Sequence, residues 1–175
     1  IVFCLPEIFF NEDGTLKPHG GLDIVIGNPP WEIWQPNSDE FFSEYDPSYR
    51  GLSNKTKKKH LEKDLFNKFP ELSDKWENEK KRYQTGSIYF NSKTSFKYQN
   101  WIVDGRKTAS HVNLYKIALE RFTQLIKKNA RVSILVPDNF ATDNGSTGLR
   151  HLIIDRFQIN EYLSFSNRKK IFSAV

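Results

Sequence analysis

The stretch "DIVIGNPPWEIW", residues 23–34, changes character at its middle. Residues 22–26 are almost continuously apolar, which is typical of a short strand buried in a parallel sheet. Gly27 permits a tight exit from that strand, and two prolines and a tryptophan follow within residues 28–31. Since open α/β sheets bind their ligands beyond the carboxyl ends of the strands, this order predicts a rigid binding segment there.

Residues 28–31 offer hydrogen-bond acceptors and an aromatic surface. Asn28 precedes a proline and is therefore held extended, while Pro29 and Pro30 have fixed φ angles and no N–H. The Asn28 side-chain oxygen and the Pro29 carbonyl can hold both hydrogens of a planar amino group and turn its lone pair toward an electrophile. Trp31 can stack on the same group, which is worth about 1–3 kcal/mol for a nucleobase. Such a base must first leave its duplex. The alternative is a rigid Pro-Pro turn closed by a packed tryptophan.

The second half of the chain alternates helical and strand patterns. Apolar residues recur at helical spacing between 114 and 126, and Lys127 and Lys128 follow where cations suit the helix dipole. The remaining predicted elements are a strand at 131–137, a loop at 139–148, a helix at 149–157 and a strand at 159–165. This order predicts right-handed crossovers and a parallel α/β sheet. Near the start, the proline-containing residues 2–10 are predicted as an edge segment.

Residues 37–107 differ in composition from both flanks and are predicted to form an insertion. Within them, residues 50–82 hold 11 Lys or Arg and 6 Asp or Glu, an excess equal to the net charge of the whole chain. Scattered Leu, Phe and Trp favour one or two amphipathic helices. The basic side chains form either an ordinary solvated face or a surface for a DNA backbone or another partner.

The 175 residues correspond to one domain or a piece of a larger one, and a first residue other than Met fits a processed chain or an excised piece. The net charge of +5 mildly favours a polyanionic partner. A single cysteine, Cys4, excludes an internal disulfide and a cysteine-based zinc site, and the four histidines lack metal-ligand spacing, so no metal site is expected. No transmembrane run or basic leader is evident, so the expected location is the cytoplasm.

The stretch "DIVIGNPPW" resembles the catalytic motif of adenine-specific DNA methyltransferases, which is Asn or Asp, Pro, Pro and an aromatic residue. "LPEIFF", a short linker and "GGLDIVIGNPPW" look like the approach to that motif in large bacterial restriction–modification and phage-defence enzymes. "VNLYKIALERFTQLIKKNARVSILVPDNFATDNGSTGLRHLI" resembles their next helix, strand and loop. "FSNRKKIF" resembles a later segment, in which a glutamate is expected at Ser166. The resemblance covers residues 1–36 and about 108–175.

The resemblance implies a Rossmann-like sheet that uses S-adenosylmethionine and acts on double-stranded DNA in a bacterial or archaeal cytoplasm. By the motif, Asn28 and Pro29 are expected to hold the amino group of a flipped adenine, Trp31 to stack on the base and Pro30 to shape the turn. The amino nitrogen attacks the donor's methyl group directly in these enzymes, so no covalent protein intermediate is expected. The parent system can also include restriction activity, although we find no nuclease constellation of carboxylates and lysine.

Two parts of the family pattern are not found in these residues. A glycine-rich loop for the donor's methionine part and an acidic residue for its ribose are expected upstream of the motif. "NGSTG" resembles a later loop rather than the donor loop. A target-recognition domain is also missing. We therefore expect residues 1–175 to be a partial catalytic domain that is inactive alone, binds the donor weakly or not at all, and needs the rest of its parent polypeptide.

Two other functions remain open from the sequence. Methyltransferases that act on ribosomal RNA guanine or on protein glutamine use the same four-residue motif, because both substrates present a planar amino group. A non-catalytic module that only binds DNA through residues 50–82 is the other alternative.

Overall fold

The computed structural model describes residues 4–103, 105–107 and 111–165. It divides into two compact units, one of Ile1–Ile33 with Phe90–Val175 and the other of Trp34–Tyr89. In chain order the described elements are α1 (Pro6–Phe9), β1 (Leu22–Gly27), α2 (Ser38–Ser43), α3 (Lys55–Lys68), α4 (Glu71–Phe90), β2 (Ile102–Val103), β3 (Arg106–Lys107), α5 (Leu114–Leu125), β4 (Ile126–Ile134) and α6 (Thr147–Arg156). The first unit is mixed α/β, and the second is helical.

Strands β1 and β4 form a small parallel sheet, and β2 and β3 pair as a separate short antiparallel ribbon. The parallel register runs from Ile24 opposite Arg131 to Gly27 opposite Ile134, after an irregularity near the start of β1. The predicted strands at 22–26 and 131–137 are therefore present, although β4 begins and ends earlier than expected. The parallel pairing of β1 with β4 is confirmed.

The start of β4 contradicts the predicted role of Lys127 and Lys128. Helix α5 ends at Leu125, and both lysines lie in the strand instead of completing the helix. Lys127 forms an ion pair with Asp23 of the neighbouring strand at 2.5 Å. Lys127 thus contacts the neighbouring strand of the sheet rather than the end of the helix.

Helix α5 is buried on more sides than a single apolar stripe predicts. Of the predicted stripe, Ile117 and Leu125 are buried, whereas Phe122 is only half-buried. Leu119, outside the predicted stripe, forms a core cluster with Leu149 and Leu152 of α6. The helical predictions are confirmed, and α5 is also buried at positions outside the apolar spacing that predicted it.

The prediction that β1 is buried on both faces is wrong for the described residues. Val25 is 8% exposed, whereas Ile24 and Ile26 are 61% and 80% exposed. Side chains of a strand alternate between the two faces, so both isoleucines lie on one open face of the sheet. Helices α5 and α6 supply the packing of the α/β unit, while this face has no cover from the described residues.

Two further strand predictions are wrong. Residues 159–165 form no strand, and Ile159, Tyr162 and Leu163 are all more than half exposed. Alternating apolar residues make a strand only where a neighbouring strand offers free backbone groups, and the described sheet does not extend to this segment. The predicted edge segment contains the helical turn α1, with Pro6 in its first turn, where the missing N–H costs no hydrogen bond.

The helical unit folds around its own core. Phe42, Tyr49, Leu65 and Leu72 are each no more than 4% exposed and form one cluster. Six partly buried apolar side chains pack against them: Phe41, Tyr45, Leu61, Phe66, Phe69 and Trp76. The helices expected from the charged segment agree with α3 and α4. That the segment is an insertion stays a prediction.

Candidate active site at the carboxyl ends of the parallel strands

Residues 28–31 are held in place at both ends. The Gly27 carbonyl accepts a hydrogen bond from the backbone N–H of Leu135 at 3.0 Å. The Glu32 carbonyl accepts one from the N–H of Leu114, at the start of α5, also at 3.0 Å. The end of one strand and the start of one helix thus fix the segment, in addition to the limited φ range of its prolines.

The four predicted site residues differ in exposure. Asn28 and Pro30 are exposed, Pro29 is buried and Trp31 is half-buried. The Asn28 side chain makes no hydrogen bond within the described part of the chain, so its amide oxygen is free to accept one. The buried proline fixes the position of the exposed amide beside it. The arrangement thus presents one free amide on a rigid backbone.

The indole N–H of Trp31 is buried and lacks a hydrogen-bond partner among the described residues. Trp34 is satisfied by contrast, because its indole N–H donates to the Tyr83 carbonyl at 2.8 Å. A buried donor without an acceptor costs about 1–3 kcal/mol. Buried polar groups without a partner are rare in folded proteins, and a functional role is one explanation for them.

Gly27 has a different role from the predicted one. Its φ is not positive, unlike those of Gly14, Gly21 and Gly105, so the strand exit does not require a left-handed residue. A Cβ at Gly27 would instead lie 3.0 Å from the ring of Phe122. Glycine is thus required here because α5 packs closely on the end of β1.

A second loop lies at the same edge of the sheet. Parallel strands have their carboxyl ends at one edge, so the loop after β4 begins next to residues 28–31. It contains two short 3₁₀ turns, Asp138–Ala141 and Asn144–Ser146. Asp138 and Asn139 are exposed in it, and the Ser164 hydroxyl donates to the Asp138 carboxylate at 2.6 Å. The sequence predicted a loop here but no site residue.

A buried ion pair anchors this loop to α5. Lys116 Nζ, on a side chain only 5% exposed, lies 2.5 Å from the Asp143 carboxylate. Asp143 also accepts from the Gly145 N–H at 3.1 Å and the Ser146 hydroxyl at 3.2 Å. Burial raises the pKa of Asp143, but the ion pair and these hydrogen bonds together hold its pKa below the ordinary value. The carboxylate is therefore charged and fixed at neutral pH.

Helix α6 holds the same loop from the other side. The Arg150 guanidinium donates to the carbonyls of Phe140 at 2.8 Å and Asp143 at 2.7 Å. The loop is therefore bound to two helices by charged groups. Its exposed residues belong to a fixed surface beside Asn28.

A second buried polar group, Glu120, was also missed by the sequence reasoning. Glu120 is 1% exposed and accepts hydrogen bonds from the Tyr98 N–H at 3.1 Å and the Gln99 amide at 2.8 Å. Burial raises the pKa of its carboxyl group. Lys116 and Glu120, four residues apart, resemble a surface ion pair. Their position among apolar residues on both sides is the signal that they are buried.

The described ranges contain neither a metal-binding cluster nor a membrane-spanning helix. No group of three or more His, Cys, Asp or Glu residues is arranged to hold a metal ion there. No helix in those ranges is long and apolar enough to cross a membrane. Ser166 and the "NRKKIF" segment lie outside the described residues.

An exposed amide, a proline pair and an aromatic ring follow β1 at the carboxyl ends of the parallel strands, which makes residues 28–31 the candidate ligand site of this α/β unit. Residues 88–172 match the model of a family described as Eco57I restriction-modification methylase. The match supports a methyltransferase role in restriction–modification. It includes α5, β4 and α6 and begins before residue 108, whereas residues 28–31 lie outside it. No curated protein and no solved structure matches the chain.

Proposed function

We propose that this chain is part of a Rossmann-like, S-adenosylmethionine-dependent DNA methyltransferase that modifies the amino group of adenine. The observation that carries the proposal is the exposed Asn28 amide, held at the strand end next to a strand and helices that match the methylase family. The target of the restriction–modification methylases is DNA. An amide and a carbonyl side by side suit the amino group of a base.

The proposed chemistry assigns two tasks to this chain. The Asn28 side-chain oxygen and the Pro29 carbonyl each accept a hydrogen bond from one N–H of the adenine amino group. This turns the nitrogen lone pair out of conjugation with the ring and toward the electrophile. The indole ring of Trp31 stacks on a base flipped out of double-stranded DNA. A bound donor would supply an electrophilic methyl group: the new N–C bond would form as the methyl–sulfur bond breaks, the neutral thioether S-adenosylhomocysteine would leave, and the amino proton would pass to solvent.

No donor-binding residue is assigned in this chain. The sequence contains no strand followed by a G-x-G turn and a helix, the arrangement expected for the donor's methionine part. The proposal therefore concerns the adenine side of the site. The rest of the parent polypeptide is proposed to supply the donor side and the choice of target sequence.

The test replaces Asn28 by alanine in the parent protein, with this chain in its natural polypeptide. Methyl transfer from labelled S-adenosylmethionine to unmodified DNA should fall about 100-fold or more, comparable with the loss of one preorganised hydrogen-bonding group. DNA affinity should change little. Asn78→Ala, at an exposed asparagine of α4, is the matched control and should keep full activity.

Three results would contradict this function. Faster methylation of ribosomal RNA or of a protein glutamine than of DNA by the wild-type protein would assign the site to the other substrates of this motif. If Asn28→Ala left methylation unchanged, Asn28 would not take part in catalysis. DNA binding by a wild-type protein that methylates none of these substrates would favour the non-catalytic module.

A further inference from the structure

Helix α3 carries three exposed lysines on one side. Lys55, Lys59 and Lys63 are each exposed and lie four residues apart. In an α-helix this spacing advances a side chain by about 6 Å along the axis and only about 40° around it. We name these three residues the lysine stripe.

The charges of the lysine stripe are not neutralised within the described residues. None of the three lysines has an ion-pair or hydrogen-bond partner there. Of the two acidic residues of α3, Glu62 accepts a hydrogen bond from the Tyr49 hydroxyl at 2.5 Å. The other, Asp64, lies one residue beyond Lys63 and therefore points about 100° away from it around the helix. The stripe thus presents a row of three exposed lysines that form no ion pair within the described residues.

The neighbouring basic helix is different. On α4, Lys80 pairs with Glu77, and Arg82 pairs with Glu79 at 2.7 Å. Its first turn also contains Glu71 and Asp74, which suit the positive end of the helix dipole. The two helices have similar composition, but much of the basic charge of α4 is balanced locally.

The first lysine of the stripe, Lys55, lies where a positive charge is unfavourable for α3. The first turn of α3 contains no acidic residue and begins with Lys55. Positive side chains in the first turn of a helix are repelled by the helix dipole, and this effect fades beyond that turn. The Asn54 side chain still caps the helix by accepting from the Thr56 and Lys57 N–H groups. An anionic ligand would remove the repulsion.

The opposite side of α3 is fixed in the helical core. Leu65 is 4% exposed and packs with Phe42, Tyr49 and Leu72. Lys58, one residue from the stripe, forms an ion pair with Asp39 and is therefore not part of the free charge. The stripe is held on a packed helix rather than on a loop.

We propose that the lysine stripe binds the phosphate backbone of double-stranded DNA. This inference rests on the proposed function, which supplies the DNA, and it names the surface that holds it. A duplex carries about one negative charge for each 1.7 Å of its axis, so it offers a dense row of charge to a straight row of cations. Lysines that contact phosphates add affinity without selecting a sequence.

The test is the triple variant Lys55→Gln, Lys59→Gln and Lys63→Gln in the full chain. Binding to a fluorescein-labelled duplex is measured by anisotropy between 50 and 200 mM salt, values chosen in the range where counterion release is large. Each lost phosphate contact lowers the slope of log affinity against log salt by about 0.9, so the expected loss is about 2 to 3. At the lowest salt, affinity should fall about 10-fold or more.

The control is Lys75→Gln, Lys80→Gln and Lys81→Gln on α4, which removes the same formal charge. It should change the salt slope by less than half as much as the stripe variant. Thermal unfolding of both variants checks that each stays folded. Equal effects of the two variants, no effect of the stripe variant, or absence of DNA binding by the wild-type chain would each overturn the inference. A stripe that binds an acidic protein would give the second result.

The test separates this inference from the proposed function. A parent protein that methylates DNA normally but binds it independently of the stripe would overturn only the inference. Stripe-dependent DNA binding in a protein that does not methylate DNA would support the inference and overturn the proposed function.

Discussion

At the scale of single residues, Trp31 and Gly27 show how packing gives meaning to a motif. Trp31 leaves its indole N–H buried without a partner, and Gly27 allows the Phe122 ring to approach the strand end. Neither feature follows from the residue types. The unpartnered N–H lowers stability and the close packing allows only glycine, and both features lie next to the exposed Asn28. Such features are expected in a functional segment.

The first prediction separates the aromatic face of Trp31 from its N–H group. Trp31→Phe keeps a ring for stacking and removes the unpartnered donor, whereas Trp31→Ala removes both. We expect DNA methylation by the parent protein to stay within about 10-fold for Phe. For Ala, methylation should fall by a larger factor, at most the factor that corresponds to the loss of a stacking energy of about 1–3 kcal/mol. Equal losses in the two variants would show that the indole N–H, not the ring, is needed.

At the scale of elements, α5 connects the site to the rest of the α/β unit. Its N-terminus binds the Glu32 carbonyl, Lys116 anchors the loop after β4 and Glu120 binds residues 98–99. A helix that bears two buried charged groups is unusual, because each must be paired or neutral. Its polar residues therefore set the positions of three backbone segments.

The buried ion pair supports a second prediction. Asp143→Ala leaves the ammonium of Lys116 buried without a counter-charge, whereas Lys116→Met removes the buried charge and leaves a carboxylate that is partly exposed. Removing one partner of a buried pair typically costs about 3–5 kcal/mol, and partial exposure of Asp143 lowers this value. Urea unfolding should therefore show a larger loss of stability for Asp143→Ala. A larger loss for Lys116→Met would contradict this.

The third prediction concerns Glu120 and pH. Its carboxyl pKa is raised above the ordinary 4.5, mainly by burial, so the folded protein binds this proton more tightly than the unfolded chain. The resulting stability is fully present below pH 4.5 and is lost as pH rises through the folded pKa. In Glu120→Gln this loss should disappear, although a constant penalty from the altered hydrogen bond to Gln99 will remain.

Melting temperatures of both proteins between pH 4.5 and 8 measure this effect. The melting temperature of the variant should rise relative to that of the wild type as pH increases. Parallel curves of melting temperature against pH would contradict the raised pKa of Glu120. Asp143 acts in the opposite direction, because its lowered pKa gives stability that is lost only as pH falls below its ordinary 3.8. Its titration therefore lies outside the measured range.

At the scale of the whole molecule, the chain contains a small parallel sheet, one face of which no described residue covers, and a helical unit. The fourth prediction follows from the donor motifs that the sequence lacks. Calorimetric titration of residues 1–175 with S-adenosylmethionine should give no binding in the micromolar range. Micromolar binding would contradict the assignment of the donor site to the rest of the parent polypeptide.

Local patterns predicted β1, α5, the core of β4 and α6, because apolar periodicity and turn residues act over a few neighbours. The third strand, at residues 159–165, was wrong because strand formation depends on a partner elsewhere in the chain. The hydrogen-bond partners of the buried Lys116 and Glu120 could not be predicted for the same reason. Their hydrogen-bond partners, Asp143 and Gln99, are more than fifteen residues away in sequence.

The sequence by itself determined the motif: an amide, two prolines and a tryptophan after an apolar strand, with a basic helical segment downstream. The tertiary structure decided which atoms of that motif are available. It left the Asn28 amide exposed, buried Pro29 and the Trp31 N–H, and placed the loop after β4 at the same edge. Exposure and adjacency depend on contacts between distant residues, and residue order alone does not specify which distant side chains will meet.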